Sequence, residues 1–65
     1  MKLTQKETEV IRLRAAGKAI KQVADELVLN SKTVSARITA VYRKLGIQSV
    51  AELTLYAVRE GIINL

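Results

Sequence analysis

The sequence predicts an all-α fold: a helix-turn-helix domain with a three-helix core and a fourth, C-terminal helix. Three observations carry this. Apolar residues recur at helical spacing in four separate stretches. Two of these stretches open on a hydroxyl residue followed three positions later by Glu, the signature of a capping box. Glycines at 17, 46 and 61 stand where three of the stretches lose their pattern, and glycine suits the left-handed position that ends a helix.

Helix one is expected from about Gln5 to Ala16. Thr4 caps it, Glu7 reaches back to the Thr4 amide, and Val10, Ile11, Leu13 and Ala16 form its apolar side. Helix two is short, Ile20 to Leu27, with Ile20, Val23, Ala24 and Leu27 in a single stripe. Lys18 and Lys21 lie at its N-terminal end, where the helix dipole disfavours cations unless an anion is near. Val28-Leu29-Asn30 is long enough only for a tight turn, and Asn30 is a good N-cap for a third helix. A short helix, a three-residue turn and a longer basic helix make a helix-turn-helix.

Helix three, 31–45, is the stretch the rest serves. Val34, Ile38, Val41 and Leu45 fall on one side. The opposite side carries Lys32, Ala36, Thr39 and Arg43, with Ser35 and Ala40 at its margins. The segment has four cations and no acid, whereas a solvated helix face normally mixes the two signs. Short side chains flanked by cations suit close approach to a polyanion, so the face is expected to read DNA. Thr33, Val34, Ile38, Thr39 and Val41 are β-branched, so packing rather than propensity has to hold this helix. Arg43 and Lys44 complement its C-terminal dipole before Gly46.

Helix four, 49–60, opens on Ser49 and Glu52 and carries two apolar arcs. One is Val50, Leu53 and Ala57, bordered by Thr54; the other is Ala51, Leu55, Val58 and Ile62. A terminal helix on a three-helix core needs one buried face. The spare arc is expected either to be covered by Ile62-Ile63-Asn64-Leu65 folding back, or to meet a second subunit.

The totals narrow the classes. Sixty-five residues make one small domain. With no Cys and no His, disulfides, Cys/His zinc sites and Cys–His or Ser–His nucleophiles are excluded. The six acids lack calcium-loop spacing and the glycines form no phosphate-cradling run, so neither an enzyme nor a cofactor is expected. The net charge of +5 is concentrated in two acid-free blocks, Val10 to Ala24 and Leu27 to Ala51. Such blocks point to a polyanion, against the plainer reading of a soluble basic surface. No apolar run reaches the roughly 18 residues of a membrane span, and no helix shows a broad apolar face bordered by bulky aromatics. A cytoplasmic or nucleoid-associated setting is expected, with no membrane partner.

The order LTQKETEVIRLRAAGK, KQVADELVLNSKTV, YRKLGIQSVAELTLYAVREGII resembles the LuxR/FixJ/NarL-type helix-turn-helix. That domain is the DNA-binding output module of many bacterial response regulators and quorum-sensing regulators. The resemblance covers nearly the whole chain: Leu-Thr then Glu, the Val-led run and Gly, the Thr-Val opening helix three, Lys-Leu-Gly, Ala-Glu-Leu and Tyr-Ala. It implies sequence-dependent binding of double-stranded DNA as a homodimer through helix four. Such domains normally follow a receiver or ligand-sensing domain in a longer regulator, and a stand-alone short regulator is the alternative the sequence leaves open. Base contacts map onto Ser35, Ala36 and Thr39, and phosphate contacts onto Lys18, Lys21, Lys32, Thr33 and Arg43. Val50, Thr54, Ala57 and Val58 are the candidate dimer residues.

The chain departs from the family pattern in three places. Arg37 stands where many members have His and is expected to reach a phosphate. Ile20 and Gln22 replace the polar cap and Glu of helix two, so that helix is expected to start without its cap. Val50 replaces a basic residue and makes helix four more apolar. Two other readings compete: a sigma-factor-like promoter-reading domain, which needs no such fourth helix, and a protein-interaction or oligomerisation module with a basic face. The reading face also lacks Arg, Asn or Gln at its centre, so hydroxyl and methyl contacts or DNA shape are left to supply specificity.

Overall fold

In the computed structural model, which describes residues 3–64, α1 (Gln5–Ala15), α2 (Ile20–Leu27), α3 (Ser31–Leu45) and α4 (Val50–Arg59) come in the expected order. The differences from expectation are at the ends: Ala16 and Glu60 are the C-caps of α1 and α4, and Ser49 is the N-cap of α4. At α1 the Thr4 hydroxyl accepts from the Glu7 amide at 3.1 Å while the Glu7 carboxylate accepts from the Thr4 amide at 2.8 Å. At α4 the Ser49 hydroxyl accepts from the Glu52 amide at 3.2 Å.

The core is divided between two adjoining clusters. Val10, Val23, Ala24, Val34 and Ile38 form the first, and Ile11, Ala15, Val41, Leu53 and Ala57 the second. Val10 and Ile11 are neighbours on α1, about 100° apart on its surface, so this one helix feeds both clusters. α3 does the same along its length, with Val34 and Ile38 entering the first and Val41 the second, and Tyr42 packs against both. α2 closes the first cluster and α4 the second. The expected inner stripe of α3 is thus buried at Val34, Ile38 and Val41 and half-buried at Leu45. This burial holds the β-branched helix in place.

The start of α2 is better held than the sequence suggests. Ala19 offers no capping side chain, but the Gln22 amide oxygen accepts from the Ala19 N–H at 2.8 Å, supplying the return half of a capping box. Lys44 also departs from its expected part. Rather than only complementing its own helix end, its ammonium lies 2.8 Å from the Glu7 carboxylate, 37 positions away. The pair ties the start of α1 to the end of α3.

Glu7 is the buried charged residue of the described chain, 8% exposed. The hydrogen bond from Lys44, then that from the Thr4 amide, outweigh its burial and hold the carboxyl below the ordinary value of 4.5. A carboxyl with a lowered folded-state pKa contributes stability above its unfolded value, and that contribution is lost as pH falls through the folded value. Glu7→Gln is therefore expected to lower Tm at pH 7. The difference from the parent should close progressively below pH 4.5, read by circular dichroism melts across that range.

The turn between α2 and α3 depends on a left-handed residue, and that residue is Val28, at φ 57 and ψ 47. Its conformation lets the Leu29 amide reach back to the Ala24 carbonyl at 2.9 Å. A β-branched side chain disfavours this region by about 1–2 kcal/mol, and Val28 is 89% exposed, so little packing offsets it. Val28→Gly is expected to stabilise the domain by about 0.5–1 kcal/mol, after the extra chain entropy that glycine loses on folding. Thermal melts should show Tm rising by a few degrees.

Candidate nucleic-acid interface

The outer face of α3 is built by what its inner face buries. With Val34, Ile38 and Val41 fixed in the core, Lys32, Ala36, Thr39 and Arg43 are turned outward, and all four are exposed. Lys32 and Arg43 are separated by about 16 Å along the helix axis, at 1.5 Å per residue. The Asn30 side chain accepts from the Thr33 amide at 2.8 Å and fixes where the helix begins. Ser35, Arg37 and Ala40 flank the exposed row; Ser35 and Ala40 are half-buried, as is Thr33.

The basic residues are not equivalent. Among the described residues there are two ion pairs, Lys44–Glu7 and Lys18–Glu26. Lys18, a candidate phosphate ligand, stands 3.3 Å from Glu26, with both side chains about half exposed. The pair is open enough to exchange its acidic partner for a phosphate, at the expense of an internal contact worth about 0–1 kcal/mol. The Lys18 carbonyl also accepts from the Arg14 guanidinium at 2.9 Å, which pins the loop between α1 and α2. Lys21 is exposed at the first turn of α2. Lys21, Lys32, Arg37 and Arg43 make no ion pair in the described structure.

Helix four resolves its two arcs unequally. Leu53 and Ala57 are 0% exposed and belong to the second cluster. Ala57 is therefore withdrawn as a dimer residue: its surface is already covered by its own chain, and its small side chain lets α4 lie close against α1. Thr54 is half-buried, and its hydroxyl donates to the Ala15 carbonyl at 3.4 Å, so it too faces α1. Val50 is half-buried on the same side as these residues.

The other arc points outward. Ala51 is exposed, Val58 half-buried, and Leu55 is 54% exposed. Leu55 also borders an open groove of about 290 Å³ with Leu45, Ile47 and Tyr56, rimmed by Glu52 and Arg59. The C-terminal segment does fold back. The Ile62 amide donates to the Ala57 carbonyl at 2.8 Å, and Ile62 and Ile63 pack against the second cluster. It leaves Leu55 uncovered, however, and Leu65 lies outside the described residues. Among the described residues no helix is long and apolar enough to cross a membrane.

Comparison with known proteins agrees with this geometry. The family described as bacterial regulatory proteins, luxR family, matches residues 1–57. The chain is 42% identical over 55 residues to the Fimbriae Z protein of Escherichia coli (strain K12), covering 85% of this chain and 26% of that protein. It is 36% identical over 63 residues to the transcriptional regulatory protein YdfI of Bacillus subtilis (strain 168), covering 97% of this chain and 30% of that protein. With the transcriptional regulatory protein LiaR of the same organism it shares 36% over 62 residues, 95% of this chain and 29% of that protein. The chain thus spans under a third of the length of these curated relatives.

Proposed function

The chain belongs to the luxR family of bacterial regulatory proteins, whose helix-turn-helix serves DNA binding in transcription regulation rather than catalysis, and from that premise we propose how this domain engages DNA. α3 enters the major groove of double-stranded DNA. Ser35, Ala36 and Thr39 face the base edges, while Lys18, Lys21, Lys32, Thr33, Arg37 and Arg43 hold the phosphates. A second copy joins through the outward arc of α4, at Leu55 and Val58, in a dimer too weak to persist in dilute solution. The domain acts in the cytoplasm as the output module of a longer regulator, behind a receiver or ligand-sensing domain. The relatives' greater length supports a longer regulator, since the chain covers 30% of YdfI and 29% of LiaR.

The observation that carries the reading is the exposed row Lys32, Ala36, Thr39 and Arg43 on a helix whose opposite face is locked in the core. Its short centre lets the backbone approach the bases, and its cations meet the two walls of a groove about 12 Å wide. The test is a nuclease footprint on promoter-bearing fragments, where two protected half-sites with centres about 10 bp apart are expected. No protection at low salt would overturn the reading.

The division of labour has its own expected outcome. Thr39→Ala and Ser35→Ala shift preference among operators by about 1–2 kcal/mol. Lys32→Ala and Arg43→Ala weaken all duplexes alike and make the salt dependence shallower. Competition titrations with two or more operators measure both effects.

A further inference from the structure

Resting on the DNA-reading assignment above, we propose that this domain recognises its half-site through thymine methyl groups, with Ala36 and the methyl of Thr39 as the specificity-determining contacts. On the outward row between Lys32 and Arg43, Ala36 and Thr39 are the two residues that stand exposed. Neither can form the two-pronged hydrogen bonds by which Arg, Lys, Asn or Gln tell guanine or adenine from other bases. Both carry a methyl group on that row. In the major groove the C5-methyl of thymine is the apolar feature a base edge offers, and Ala and Thr methyl groups are suited to contact it.

The flanking residues favour the close approach this needs. Ser35 and Ala40, on either side of the exposed row, are small and half-buried, so neither holds the helix away from the groove floor. Ala36 and Thr39 lie three residues apart, about 4.5 Å along the axis. That spacing fits neighbouring base-pair steps. The proposal thus names the class of operator: half-sites with T·A pairs at adjacent central positions, read by apolar contact.

The experiment selects from a randomised duplex library about 20 bp long, enough for two half-sites one helical turn apart. The full chain is used at low salt, in parallel with duplexes made from thymidine and from deoxyuridine, which lacks the methyl group. The thymidine library is expected to enrich T·A pairs at adjacent positions of each half-site. In the selected duplex, each contacted thymine replaced by deoxyuridine should weaken binding about fourfold, the equivalent of one buried methylene-sized group. Thr39→Ser, which removes the methyl and keeps the hydroxyl at an exposed position, should abolish the thymidine preference at one position, so that this variant no longer distinguishes thymidine from deoxyuridine there.

Equal binding to both selected duplexes would overturn the methyl reading while leaving DNA binding intact. Retention of neither library would instead sink the DNA-reading assignment itself. A larger loss from 7-deazaguanine than from deoxyuridine would also overturn the proposal, since it would assign specificity to a guanine contact by Arg37.

Discussion

Raising salt from about 50 to 200 mM is expected to weaken duplex binding by roughly four orders of magnitude. Each phosphate neutralised by a cation releases condensed counterions, giving a log–log slope of about −0.9 per phosphate. Among the described residues Lys21, Lys32, Arg37 and Arg43 make no ion pair, so each can meet a phosphate without breaking one. Four per protomer in a bound dimer give a slope of about −7. Lys44 adds nothing, being engaged with Glu7, and Lys18 adds a fraction because Glu26 competes for it. Fluorescence anisotropy across that salt range measures the slope. Glu26→Gln provides an internal check, since releasing Lys18 in both protomers should steepen it by up to about two units. A flat dependence would remove the polyanion reading, and with it the basis for placing α3 in a groove.

The helix-turn-helix was legible because each element carries its own local signals. Ile20, Val23, Ala24 and Leu27 fix the buried side of α2, Asn30 marks the start of α3, and Gly46 adopts the left-handed conformation its position demands, at φ 67. The outer face of α3 could be read once its inner stripe was known, because the helix has no other side to offer. Three features were hidden because they depend on distant partners or on the balance between alternatives. The partner of Lys44 is 37 residues away, and no periodicity links it to Glu7. Nothing in the composition of the turn marks Val28 as left-handed; the return bond from Leu29 to Ala24 imposes that conformation. In α4 two apolar arcs of similar size differ in a way that becomes visible only when α1 is placed, and Ala57 then proves to be a contact with α1 rather than with another subunit.

That placement sharpens what helix four should do when charged. Leu55→Asp is expected to leave the fold and the half-site affinity intact while abolishing the advantage of a full inverted repeat. Leu55 is 54% exposed, so an aspartate there stays hydrated in the monomer, yet it would face its own symmetry mate across the seam. The advantage at stake is a coupling of about 1–3 kcal/mol, roughly 5–150-fold in affinity. It is modest because a lasting interface buries about 800 Å² per partner, and the whole chain exposes 4420 Å². An arc of Ala51, Leu55 and Val58 on a ten-residue helix covers too little of that to hold two subunits together without DNA. Val58→Asp should behave like Leu55→Asp, though with some loss of stability because Val58 is half-buried. Ala57→Asp is the contrast: it would bury an unpaired charge in the second cluster, at a cost of several kcal/mol. A domain this size has only about 3–10 kcal/mol of stability to lose, so that variant should unfold. Binding to full and half operators, with the helical signal at about 222 nm as the control for folding, separates the cases. Full-site binding unchanged in both Leu55→Asp and Val58→Asp would show that α4 does not join the subunits.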